Sequence, residues 1–451
     1  MKGKNVDFTK GSVARNILGL AFPLMAAQFV NIFYNIADRI YISHIEGIGI
    51  DALTGVGIAF PIITIISAFA HLIAMGGGSL CSIYRGKGRN DIAEKLMGNS
   101  FSILLMIGVT VTVIGYLFKK PILYAFGASD ITFPYGNDYI SIYLLGTVFV
   151  LFGSGMNSFI NAQGYAKTAM LTVMIGAIIN IILDPIFIYY FELGVEGAAM
   201  ATVISQFVSA AWVFMFLRSE RSMLKLRVKN LRLDLGLVWK IVSLGLSGFI
   251  MAVTASGVQI IANSALSRFG GDIYVTVMTV ITSVREMLTL VVQGITSGSQ
   301  PVLGFNYGAK RYDRVKSGIR FITLVCFSYT ITTWLLIMCF PTVFVKMFNS
   351  DARLLELSGH CVRINFAAHF MMAFQFSGQS TFVGLGKAKE AIFFSLLRKA
   401  IIVIPLTLPL PYTSLGTDGV FYAEPVSAMV GASCCYAVMY FTVYRKMKIK
   451  E

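Results

Sequence analysis

The sequence predicts an all-α membrane protein, with twelve transmembrane helices in two parallel six-helix repeats around a central cavity. Three observations predict it. The 451 residues are 56% hydrophobic and only 13% charged, with a mean hydropathy of +0.74; a soluble chain of this size has too little interior to hide so much apolar side chain. Apolar runs recur at about the 20 residues a bilayer crossing needs, too long for the roughly 9–11-residue strands of a membrane barrel. Finally, the chain repeats itself at one constant offset.

In order, the runs cover 16–41, 52–80, 98–118, 139–160, 168–190 and 194–217, then 237–266, 273–303, 318–340, 357–382, 391–411 and 418–444. The first follows a basic start, as a signal peptide would. It is too long for such a peptide's apolar core and shows no small-residue cleavage site, so it reads as a retained helix. Pro23 gives it a candidate kink. Between the sixth and seventh runs lies a basic connection with Leu224, Leu226, Leu231, Leu233 and Leu235 among Arg and Lys. It reads as an amphipathic segment lying on the inner leaflet. The expected organisation is an N-lobe over 1–217, a cytoplasmic linker over 218–236 and a C-lobe over 237–451.

A single shift along the chain, the one that carries Gly194 onto Gly416, brings the lobes into register. LGVEGAAMATVISQ at 193–206 then falls on LGTDGVFYAEPVSA at 415–428, which also pairs Gly197 with Gly419 and Ser205 with Ser427. Under the same shift GYAK at 164–167 falls on GKAK at 386–389, Gly86 on Gly308, and Phe126 on Phe348. Six crossings per unit is an even number, so both units start from the same side, as parallel repeats related by an axis along the membrane normal. Such repeats place a substrate site near mid-membrane between them.

The net charge of +15 is topological rather than a sign of nucleic-acid binding. Both termini and the segments 81–97, 161–167, 218–240, 304–320 and 383–399 carry 29 Lys and Arg; the connections on the other side carry six. The positive-inside rule then puts both termini and the long Arg218–Lys240 connection in the cytoplasm. The six cysteines lack CxxC spacing and read as small apolar residues. No Ser/His/Asp arrangement, phosphate loop or ATP-binding domain is recognisable, and Gly76–Gly78 lack the strand and Lys of a nucleotide loop. The expectation is a transporter and not an enzyme, without a cofactor, working as a monomer on an ion gradient.

Charges inside a bilayer are expensive and mark function. Of 22 acids, Asp38, Asp184, Glu286 and Glu424 fall within runs beyond the first turn, while Glu196 and Asp418 stand at the very start of theirs. Asp184 follows Asn180 by one helical turn, so both point the same way, and Pro185 frees a carbonyl beside them. With the hydroxyl of Thr202 these form an oxygen-rich set for H⁺ or Na⁺; a buried Asp that merely staples helices is the alternative. Asp38 ends the first helix after Asn31 and Asn35, where Arg39 equally fits a plain helix end. Glu286 stands beside Arg285, so an ion pair competes with a substrate role. Glu424, which aligns with Thr202, reads as a local polar contact. Asn157 and Gln379 align across the repeat and are candidates to face the central space. The many Met and Phe suit an adaptable apolar pocket or simple packing.

Two six-helix repeats, an acid closing helix 1, NIILDPIFI on helix 5 and GVEGAAMAT opening helix 6 resemble the multidrug and toxic compound extrusion (MATE) transporters over nearly the whole chain. The resemblance implies an antiporter that exports bulky, often cationic organic compounds against H⁺ or Na⁺. Carried over by position, Asp38, Asn157, Asn180, Asp184 and Thr202 match the ion-coupling N-lobe site of the prokaryotic DinF-like branch. Asp38, Asn180, Asp184 and Thr202 would be the metal ligands if the ion is Na⁺. Asp184, Asn157, Glu286 and Gln379 are the candidate substrate contacts. The helix-10 acid of the sodium-driven NorM branch is absent here, since 357–382 contains no Asp or Glu. The rival is a lipid or polysaccharide flippase of the same superfamily, which would need a cationic cavity for anionic substrates. An uncoupled channel or receptor fits the repeat and the buried acids less well.

Overall fold

The structure, a computed structural model, describes residues 6–346 and 352–447. Phe348 and four basic residues near the termini (Lys2, Lys4, Lys448 and Lys450) lie outside the described residues. The described chain is helical, with no strand. The N-lobe contains α1 Val13–Ser43, α2 Gly49–Gly86, α3 Asn90–Ala125, α4 Phe133–Leu145, α5 Thr147–Ala162, α6 Ala166–Tyr190 and α7 Gly194–Arg218. The C-lobe contains α8 Leu235–Gly270, α9 Asp272–Gly308, α10 Tyr312–Cys339, α11 Pro341–Lys346, α12 Ala352–Asn365, α13 Met372–Gly384, α14 Ala388–Tyr412 and α15 Asp418–Tyr444.

The repeat is structural as well as sequential. The shift that carries Gly194 onto Gly416 also carries the starts of α1, α3 and α6 onto those of α8, α10 and α14. It carries the ends of α2, α5 and α6 onto those of α9, α13 and α14. The backbone turns to positive φ at Gly164 and again at Gly386, and at Gly194 and again at Gly416. Helix starts are capped at equivalent places. Ser12 Oγ accepts from Arg15 N at α1, and the Asp234 carboxylate accepts from the Gly236 and Leu237 amides at α8. Each cap satisfies N-terminal amides that have no partner within the helix.

Ten helices among the described residues are long and apolar enough to cross a membrane unbroken, eleven counting the bent pair α4–α5. That pair meets at an angle of 57° at Gly146. The twelfth expected crossing, 357–382, is divided into α12 and α13, each too short to span alone. The divisions fall at the same point of the two repeats. In the C-lobe, backbone carbonyls at the break are met by Trp334 Nε1 (to Ala367 O, 3.0 Å) and Thr330 Oγ1 (to Phe370 O, 3.2 Å), which lets irregular backbone persist at membrane depth.

The lobes are sealed against each other at the face carrying the termini, hereafter the basic face. Val13, Ile17, Leu20 and Ala21 of α1 share one apolar core with Val292, Ile295, Val302 and Leu303 of α9. At the ends of α2 and α9 the backbones touch reciprocally. A Cβ at Gly86 would lie 1.9 Å from Phe305 O, and one at Gly308 2.0 Å from Ile83 O. Residues 6–12 lie across this seam: Val6 N donates to Gly164 O (3.0 Å) in the N-lobe, while Arg314 donates to Phe8 O and Gly11 O in the C-lobe direction. Toward the opposite face Arg39 of α1 and Glu286 of α9 are within electrostatic reach of each other and both exposed.

The linker does not form the expected amphipathic element on a leaflet. It is irregular apart from one short turn at Val228–Asn230, and it packs on the N-lobe. Leu224 and Leu226 are buried in that lobe's core. Gln163 Oε1 accepts from Ser222 Oγ and Leu224 N, both at 2.9 Å. Asn99 donates to Arg232 O (3.2 Å) and accepts from Asp234 N (2.7 Å). Two buried amide side chains thus hold the linker in irregular form, because they satisfy backbone that a helix would have satisfied internally.

Candidate functional site

The N-lobe brings Asp38, Asn180, Asp184 and Thr202 together from α1, α6 and α7. All four are buried. Asn180 and Asp184 share a helix face because four residues make about one turn. Asn180 Nδ2 donates to Asp184 Oδ1 at 3.0 Å and to Thr202 Oγ1 at 3.5 Å. Pro185 has no amide to offer Ile181 O, and the helix continues past it as a π-type turn over Ile186–Tyr190. Tyr189 Oη then donates to Tyr41 O (2.7 Å), tying α6 to the end of α1 just past Asp38. Asp38 and Asp184 are within electrostatic reach of each other.

What marks this cluster is unmet bonding capacity. Asp38 Oδ1, Asp184 Oδ2 and Asn180 Oδ1 are all buried without a hydrogen-bond partner. An unsatisfied buried acceptor costs about 1–3 kcal/mol, and more if charged, so these oxygens are unfavourable as they stand. No group of three or more His, Cys, Asp or Glu able to hold a metal occurs among the described residues. A Na⁺ here would therefore need the neutral oxygens of Asn180 and Thr202 beside the two carboxylates.

Asn157 does not join them. Its Nδ2 donates to Ala169 O at 3.1 Å, roughly 22 Å along α6 from Asp184 at 1.5 Å per residue. Gln379 does the same in the C-lobe, donating to Ala391 O and Ser395 Oγ, both at 2.9 Å. Both side chains face a neighbouring helix of their own lobe rather than the space between lobes. Their amides pin the fourth crossing of each lobe to the fifth at equivalent places.

Glu286 is exposed, and its neighbour Arg285 turns elsewhere. Arg285 pairs with Glu424 at 3.4 Å and donates to Asn365 Oδ1. Glu424 is buried and also accepts from Arg398 and, at 3.1 Å, from Lys399. The local polar contact expected of Glu424 is thus an ion network joining α9, α12, α14 and α15. Sequence reasoning missed it because Arg398 and Lys399 belong to the basic segment 383–399, and so counted toward topology. Both are mostly buried inside the membrane part of α14, so two of the 29 basic residues do not mark the basic face. The available signal was their position about ten residues into an apolar run.

The model of the MatE family matches residues 23–186 and 248–408, which takes in most of both lobes. The chain belongs to the MatE family. Its membership makes it a multi-pass membrane transporter rather than an enzyme. Among MatE relatives, the multidrug export protein MepA of Staphylococcus haemolyticus is 23% identical over 444 residues, covering 97% of this chain and 94% of that protein. MepA of Staphylococcus aureus strain NCTC 8325 is 23% identical over 448 residues, at 97% and 95% coverage. The MatE fold here superposes on an outward-facing multidrug resistance MATE transporter of the MOP superfamily with a TM-score of 0.91, 23% identity and 100% and 99% coverage. A MATE crystallised in a bent conformation gives 0.91 at 24% identity, covering 99% of each chain.

Proposed function

We propose that this MatE protein is a cation-coupled antiporter that exports bulky, often cationic organic compounds by alternating access. The observation that carries the reading is the convergence of three unpartnered buried oxygens on Asp38, Asn180 and Asp184. The names of its MepA relatives, multidrug export proteins, support the substrate class. The charge distribution supports a bacterial inner-membrane topology with the basic face in the cytoplasm. Asp38 and Asp184 in the N-lobe, with no acid in 357–382, fit the DinF-like branch.

In this reading the ionised pair Asp38 and Asp184 attracts a cationic substrate admitted from the cytoplasm. At about 4 Å and an effective dielectric of 20, one such contact is worth about 4 kcal/mol. From the outer side H⁺ or Na⁺ takes the same oxygens, removes the attraction and releases the substrate. The lobes, here closed at the basic face, rock about the site to reload.

The test is ethidium efflux from proteoliposomes under an imposed H⁺ or Na⁺ gradient, one at a time. Efflux that follows one gradient and collapses with it is the expected result. Efflux indifferent to both refutes coupling, and no efflux of any cationic dye by folded protein refutes the substrate class.

A further inference from the structure

The C-lobe network has more positive charge than its own residues neutralise. Arg285, Arg398 and Lys399 surround one carboxylate, Glu424. Arginine holds its charge throughout the physiological range, so the two guanidiniums against one carboxylate leave a positive excess whatever the state of Lys399 or His369. Excess charge buried at membrane depth is unfavourable unless an opposite charge meets it. Glu286 is within electrostatic reach of Arg285 as well as of Arg39, but it is exposed and forms no close ion pair with the network, so it meets the excess only from the rim.

Unpartnered nitrogens stand beside the excess charge. Arg398 Nε, a donor, and His369 Nε2, a donor in one of its two tautomers, are buried without a hydrogen-bond partner, and both residues are more than nine-tenths buried. A cleft of about 10 Å³, room for one water-sized group, lies against the network, lined by Arg285, Asn365, His369, Met372 and Glu424 among others. It opens at the division between α12 and α13. Position in the repeat gives a further argument: Glu424 occupies in the C-lobe the place that Thr202 occupies in the N-lobe. The two lobes thus carry ionisable sites of opposite sign that share this one repeat position.

We propose that this C-lobe cleft is an anion site that takes a singly charged group, either a free inorganic anion or the carboxylate of a transported molecule, on Arg285 and His369, with the charge of Arg398 behind them. With the acidic N-lobe opposite, the two lobes together suit a substrate carrying both a cation and a carboxylate. The proposal does not depend on ion coupling in the N-lobe.

Rhodamine B, a cationic dye with a free carboxylate, and its ethyl ester, which has the cation alone, separate the two readings. Purified full-length protein in nanodiscs, kept in gluconate, is titrated with each dye and separately with chloride. Thermal stability and dye anisotropy report binding. Arg285→Gln is the variant, because Arg285 lies at the edge of the network and its removal leaves Glu424 paired with Arg398 and Lys399. Arg39→Gln, a cation of the other lobe, is the control.

The expected result is at least tenfold weaker binding of rhodamine B by Arg285→Gln, with the ester unaffected and with Arg39→Gln like the wild type. If the source is a free ion, chloride instead raises the melting temperature saturably at constant ionic strength, and Arg285→Gln weakens that response tenfold. Arg285→Lys, which keeps the charge, recovers part of either loss. Equal affinity of wild type and Arg285→Gln for both rhodamine B and chloride overturns the proposal. So does an equal loss for dye and ester, which would mean a merely structural arginine. Ester efflux without any ion gradient would overturn the coupling reading and leave this one standing.

Discussion

Asp184→Asn is the sharpest perturbation of the N-lobe. It removes one negative charge at nearly constant volume, and the asparagine oxygen can still accept from Asn180 Nδ2, the 3.0 Å bond of the native site. A cation about 4 Å from the lost carboxylate forfeits about 4 kcal/mol at an effective dielectric of 20, close to a thousandfold in affinity at 1.4 kcal/mol per decade. Asp38 remains within reach and softens the loss, so a fall in transport efficiency of about a hundred- to a thousandfold is expected. Folding is expected to survive, because a buried charge without full pairing is being removed rather than created. The assay is dye efflux from proteoliposomes with H⁺ and Na⁺ gradients imposed separately, beside melting curves of the same preparations. Undiminished gradient-driven efflux by well-folded variant protein would refute the reasoning, because then no step of the cycle uses the Asp184 charge.

Three other outcomes are expected. Gly86→Val or Gly308→Val places side-chain carbon about 2 Å from a carbonyl of the other lobe, so spin-label distances across the basic face should lengthen; unchanged distances would show that the seam yields without parting. Asn99→Ala strips the linker of its buried partner and leaves the Asp234 amide unmet, at a cost of about 1–3 kcal/mol, read as a lower melting temperature with efflux per folded molecule retained. Asn157→Ala and Gln379→Ala each remove an amide that pins two helices and should lower stability by about 1–2 kcal/mol while leaving the ion dependence of efflux unchanged; a changed ion dependence would place that residue in the transport site after all.

Helix content, the two repeats and their constant offset were legible in the sequence because each depends on local or periodic information: run lengths matched to a bilayer, and paired blocks such as GYAK and GKAK. The grouping of Asn180 with Asp184 was legible for the same reason, since one helical turn sets it. Asp38 and Thr202 lie on other helices, and only the packing of α1 and α7 against α6 brings them there. Asn157 aligned as well as any candidate, yet its height along α6 takes it about 22 Å away from Asp184, a distance no alignment encodes.

The sequence by itself determined that this protein lives in a membrane as two parallel copies of one unit, because the bilayer's thickness and the hydrophobic effect act on every stretch of chain alike. It also singled out Asp184, because a carboxylate in an apolar run is conspicuous. Only the tertiary structure decided where Arg398 and Lys399 belong, since a basic pair near a helix end reads as topology until a buried Glu424 is found beside it. Charge at membrane depth is tolerated through its partners, and partners from four separate helices are a property of packing.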